Sequence, residues 1–184
     1  MKTLKCIFVL SAFVGLLFIG CSDNSQPTAS TDQVGTYQTL NKVVRTYFTG
    51  TDNPTQYINS FGDIINNGKH VVLKGMDGWD YIDASDSRVT GMVHIIVNTS
   101  WDENGEGPVY GTALIVPGTT EPSETATNGV WEVHWNGFSR DGFGYFKMTG
   151  VGKGGNIQGM QLFITEEFNQ TTYIGQLEGY IQSH

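Results

Sequence analysis

Cysteine is almost missing from this chain. Of its 184 residues only Cys6 and Cys21 are cysteines, and both lie in the first 21 positions. Whatever folds after Cys21 therefore has no internal disulfide, thiol nucleophile or cysteine-based metal site, and must be held by a hydrophobic core. Positive charge is also scarce, with ten Lys and Arg against eighteen Asp and Glu and a net charge of −8. Nucleic-acid phosphates need clustered Lys and Arg, so that class of partner is excluded. No G-x-S-x-G elbow is present for a serine nucleophile. The glycine run Gly150-Val151-Gly152-Lys153-Gly154-Gly155 has no Ser or Thr after its lysine and joins two strand-like segments. It fails the phosphate-loop rule and reads as a hairpin with bulges.

Long apolar runs are confined to the N-terminus. Lys2 and Lys5 precede Ile7 to Ile19, and Gly20 precedes Cys21. This is the layout of a secretory signal, with an apolar run short for a membrane span. Removing residues 1–20 leaves 164, enough for one domain, and takes the net charge from −8 to −10. Residues 21–34 are rich in Ser, Thr, Asp, Gln and Pro, and read as a flexible tether. The folded domain is expected over 35–184.

Within that domain, residues 36–49 lean towards a strand through their β-branched content. The spacing of Tyr57, Ile58, Phe61, Ile64 and Ile65 predicts a helix over about 54–66, opened by Asn53-Pro54 and closed by Gly68. Strands are expected over 69–74, 78–82, 88–99, 109–116, 130–137, 143–150, 156–165 and 171–181, with a polar loop at 119–128. The class is mainly β: a single antiparallel barrel of about eight strands with one short helix.

Strand parity sorts the candidate site residues. On 130–137, Trp131, Val133 and Trp135 share one face while Glu132 and His134 share the other. On 88–99, Val93, Ile95 and Val97 oppose His94. With the apolar faces inward, Glu132, His134 and His94 form an outward polar set, the only acid–base candidates, and no catalytic residue is assigned. No metal or cofactor is expected: the acidic turn Asp102–Glu106 lacks EF-hand ligand order, and His70, His94 and His134 do not converge into an apolar lumen. Aromatic residues carry the positive signal. Trp131, Val133, Trp135, Tyr145 and Phe163 are the expected ligand-binding set, because aromatic cavity walls recognise apolar, planar or sugar surfaces.

Two resemblances add to these readings. Leu17-Phe18-Ile19-Gly20-Cys21 resembles the lipobox of bacterial lipoproteins, which implies lipidation of Cys21, a membrane anchored through its acyl chains and, with Ser22 following, an outer-membrane address. Gly129-Val130-Trp131, Gly137, Gly150 to Gly155 and Gly159-Met160-Gln161-Leu162 resemble the allene-oxide-cyclase-like and dirigent-like barrels over about 50 residues. That likeness implies an eight-stranded barrel with a central cavity, and transfers no catalytic residue. The G-x-W at 129–131 also echoes the lipocalins, but comes late in the chain, whereas theirs lies on the first strand. The leading expectation is a non-enzymatic envelope lipoprotein binding a small apolar or aromatic molecule, or a glycan. The alternatives are a barrel-family isomerase or cyclase, and a surface adhesion or assembly module.

Overall fold

The structure is a computed structural model that describes residues 42–184, the side chains of 54–56 apart. The expected signal sequence and tether, with Cys21, lie outside the described residues. Nine strands follow in order: β1 Val44–Ser60, β2 Asp63–Asn66, β3 Val71–Ala84, β4 Gly91–Trp101, β5 Gly107–Pro117, β6 Val130–Arg140, β7 Phe143–Lys153, β8 Gln161–Asn169 and β9 Ile174–Ser183. Each strand from β3 to β9 pairs antiparallel with the next, β9 pairs with β1, and β1 returns to β3. Eight strands thus close a barrel without a free edge, which is how an all-β chain avoids exposing unpaired backbone. β2 stands outside the ring and pairs only with β3.

The expected helix at 54–66 does not form. Those residues are the end of β1 and all of β2, which run one after the other along β3: Ser60 opposes Asp77 and Asp63 opposes Lys74. The apolar residues that suggested a helical stripe have nothing to bury against; Phe61 is 66% exposed, and Tyr57, Ile58, Ile64 and Ile65 are exposed too. A stripe stabilises a helix only through burial, whereas the edge of β3 offers backbone hydrogen bonds. Gly62, at φ 65°, makes the break between β1 and β2, and a side chain there would strike the Lys74 carbonyl. Gly68 caps no helix and sits in the β2–β3 turn at φ 82°.

Other boundaries also move. The segments expected at 69–74 and 78–82 form one strand, β3, with a register shift between Leu73 and Met76. The segment expected from 156 starts at Gln161, because Gly155–Ile157 form a 3₁₀ turn.

The two ends of the barrel are built differently. The β3–β4, β5–β6 and β7–β8 connections share one end with the start of β1. The β2–β3, β4–β5, β6–β7 and β8–β9 turns share the other. The first end is plugged. Val89 from the β3–β4 connection and Ile157 from the 3₁₀ turn are fully buried, and join a core with Ile82, Val93, Ile115, Trp131, Leu162 and Ile181. The Trp131 indole N–H donates to the Arg88 carbonyl at 2.7 Å, tying the wall to the plug. A small second core lies outside the wall. There Trp79, Met92 and Val116 pack with Tyr81, Leu114 and Val130 under Ala126 of the β5–β6 connection. Thr119 holds that connection down by donating to the Val116 carbonyl at 2.7 Å.

Candidate ligand cavity

Towards the other end the barrel interior opens into a cavity of about 640 Å³, within the usual range for small-molecule sites. The inward parity of each strand sets its lining. Ile95, Val97, Thr99 and Trp101 come from β4, Trp135 from β6, Phe146 and Met148 from β7, and Glu166 and Phe168 from β8. Asp52 of β1 and Asp80 of β3 complete the floor, and Tyr57 and Ile58 stand among the lining residues.

Glycines on the inward faces make room for these larger groups. A methyl on Gly111 would lie 2.9 Å from the Trp135 ring, and one on Gly175 would strike the Glu166 carboxylate while sitting 3.1 Å from Asp52 Cβ. The absence of side chains at these two positions lets an indole and two carboxyl groups turn into the lumen. Trp135 and Phe146 meet edge to face, with centroids 5.4 Å apart, which fixes one wall.

Polar atoms are few in this cavity, and they are unusual. Five buried side-chain atoms lack a hydrogen-bond partner among the described residues: Asp52 Oδ1, Thr99 Oγ1, the Trp101 and Trp135 indole nitrogens and Glu166 Oε1. All five belong to residues that line the cavity. A buried polar atom without a partner costs about 1–3 kcal/mol, so such atoms are rare in folded proteins and their clustering in one place calls for a reason.

The carboxyl groups have shifted protonation. Burial, with Asp80 nearby, pushes Glu166 up to about 8. Burial first, and then Asp80 and Glu166, raise Asp52 well above the ordinary carboxylate range. Desolvation and like charge both disfavour the ionised form here. No Lys, Arg or His is among the described residues that line the cavity.

The residues singled out by sequence fall in different places. Trp135 lines the cavity. Trp131 and Val133 lie inward, as parity predicts, but pack in the plugged half. Tyr145 is exposed on the outer surface. Phe163 stacks on Tyr180 at 4.7 Å and lines an outer groove of about 570 Å³ with Tyr47. Glu132 and His134 are exposed on the outer face of β6, where Glu132 lies 3.5 Å from Lys153 Nζ. His94 stacks flat on Trp79 at 4.6 Å, outside the barrel, with its two nitrogens at 2.7 Å from Asp77 and 3.0 Å from Glu124. The three acid–base candidates do not come together around a lumen. Among the described residues, no group of His, Asp and Glu is arranged to hold a metal; in the Asp102–Glu106 turn, the Asp102 carboxylate accepts from the Asn104 and Glu106 backbone N–H groups.

The parity argument missed Asp52, Asp80 and Glu166. For Glu166 the signal was available, since it alternates in step with Leu162 and Ile164 on β8. Searches against protein-family models, curated proteins and solved structures returned no match for this chain.

Proposed function

We propose that this protein is an envelope-anchored bacterial lipoprotein whose barrel holds a small, largely apolar or aromatic molecule in its mouth-side cavity. One observation carries the binding reading: every buried, unpartnered side-chain polar atom among the described residues belongs to a residue lining that single cavity. An apolar wall with a few convergent polar groups is how small-molecule sites combine affinity with orientation. The signal layout and the lipobox at Leu17–Cys21 support the address.

The test is a titration of the intact chain with a neutral naphthyl fluorophore. Saturable binding is expected, and Val97→Trp, which fills the cavity from β4, removes it while the β-sheet circular dichroism signal persists. Binding that survives this filling overturns the reading. For the address, Cys21→Ala is expected to move the protein out of the membrane fraction.

A second reading, a surface contact for a glycan or partner, has the outer groove in its favour. Its rings include Tyr47, which is 71% exposed. Loss of glycan retention in the Tyr47→Ala variant tests it. The lumen is preferred because the groove's rings pack on one another, whereas five buried polar atoms of the cavity lack a partner among the described residues. The isomerase reading, which leaned on Glu132 and His134, gains nothing from their outer positions.

A further inference from the structure

The floor of the cavity brings three carboxylic side chains from three strands together, and the described wall around them carries no cation. Asp52, on β1, and Glu166, on β8, share the space over Gly175. Asp80 on β3 is the inward residue next to buried Ile82, and is close enough to both to disfavour their charge. Glu166 is 6% exposed and its Oε1 has no partner among the described residues, nor has Oδ1 of Asp52. Two half-buried acids outside the lumen have a basic partner: Asp86 meets Arg88 at 2.6 Å, and Asp77 meets His94 at 2.7 Å. The lumenal pair departs from that pattern.

Above the carboxyl groups stand the rings of Trp101, Trp135, Phe146 and Phe168. Aromatic faces attract a cation electrostatically, and do so more strongly away from water. Two polar groups independent of the acids point to the same space. Thr99 is 2% exposed and Trp135 5% exposed, and Thr99 Oγ1 and the Trp135 indole nitrogen both lack a partner among the described residues. A ligand that satisfies this cavity brings a positive charge to the floor, an apolar or aromatic body for the rings, and an acceptor within reach of the indole.

We propose that the cavity selects organic amines: molecules with a protonated nitrogen that pairs with Glu166 and Asp52, attached to an apolar or aromatic body that fills the ring-lined space above. This rests on the reading of the barrel as a small-molecule binder, and narrows it to one ligand chemistry. Among the described residues lining the lumen, the groups ionisable with Glu166 are Asp52, Asp80 and the phenols of Tyr57 and Tyr173, and none of them is a cation. Seating a cation therefore favours loss of the proton that the carboxyl otherwise keeps, so proton release accompanies binding near neutral pH.

The test uses three probes with one body, tryptamine, tryptophol and indole-3-acetate, titrated calorimetrically into the full chain at pH 7. The neutral naphthyl fluorophore serves as an independent report of lumen binding. Tryptamine is expected to bind at least about tenfold more tightly than tryptophol, the scale of a desolvated charge contact, and indole-3-acetate more weakly than either. Glu166→Gln, which keeps shape and removes charge, is expected to bring the amine-to-alcohol ratio close to one. Glu167→Gln, on the outer face of the same strand, is expected to leave the ratio as it was. Two buffers of different ionisation enthalpy would give different apparent heats for tryptamine if a proton is released. If the fluorophore binds but the amine has no advantage, the amine inference fails alone. If neither the fluorophore nor any indole probe binds, the cavity reading fails with it.

Discussion

The two halves of the barrel use the same strands to opposite ends. On β8 the inward sequence is Leu162, Ile164, Glu166, Phe168; on β6 it is Trp131, Val133, Trp135 and, beyond Gly137, Ser139. The first two residues of each set belong to the core at the plugged end, and the rest line the cavity. Trp131 and Trp135 stand four residues apart on one face. One indole N–H is bonded to the Arg88 carbonyl, and the other has no partner among the described residues. An eight-stranded barrel is just wide enough for its own side chains to fill it. This one fills half, and stops filling where carboxyl groups replace aliphatic ones. The plug supplies the stability, and that allows the mouth half to retain groups that weaken the fold.

On this division, the largest effects of mutation lie in the plugged half. Trp131→Ala is expected to destabilise the chain by about 3–5 kcal/mol, the usual cost of emptying a buried Trp site, and it also orphans the Arg88 carbonyl. Urea unfolding followed by circular dichroism measures it. Leu162→Ala on β8 is expected to cost about 2–5 kcal/mol. On the same face of the same strand, Phe168→Ala is expected to cost less than about 1.5 kcal/mol, since Phe168 is only half-buried and faces the cavity. Equal losses at Leu162 and Phe168 would break the contrast.

The next effect in size depends on pH. Glu166 keeps its proton in the folded chain up to about 8, against 4.5 for the free side chain. The stability it contributes is complete below about 4.5, and is lost as pH rises through about 8, because the folded state binds the extra proton in that window. Stability is expected to fall by up to about 1.4 kcal/mol per pH unit between these values for this one proton. Asp52, raised by burial and by its acidic neighbours, acts in the same direction. Glu166→Gln is expected to flatten the slope and leave the variant more stable than the parent at pH 8. Thermal midpoints from pH 5 to 9 decide it, and a parallel slope in both proteins would remove the carboxyl cluster from the account.

The smallest effects belong to the outer wall. Tyr145→Ala and His134→Ala are expected to change stability by no more than about 0.5 kcal/mol, because both side chains are exposed on outward faces. They serve as the baseline against which the two interior halves are compared.

Much of this architecture could be read from alternation. The inward set Trp131, Val133, Trp135 and the outward set Glu132, His134 follow from period two alone, and the glycine-broken strands announced a barrel. Alternation could not say how deep in the barrel each inward residue would sit, so Trp131 and Val133, expected to contact a ligand, belong to the plug. It also ranked residues by ring size. This favoured Tyr145 and Phe163, which face outward, over Asp52, Asp80 and Glu166, which face in. Trp79 shows why: a covering connection from β5 to β6 gives it a buried place outside the wall, so large apolar side chains occur on both faces of β3. The segment at 54–66 failed for a different reason. Its apolar spacing fits a helix, but its hydrogen bonds are made by β3, a partner no local pattern names.

The most direct test of the divided barrel is nuclear magnetic resonance of the four indole N–H groups as the neutral naphthyl probe is added. The account predicts that the Trp101 and Trp135 indole signals shift with saturation, while the Trp131 signal, held by the Arg88 carbonyl, stays in place and exchanges slowly with solvent. A Trp131 signal that moves with the others, or a Trp135 signal that never moves while the probe binds, would contradict it.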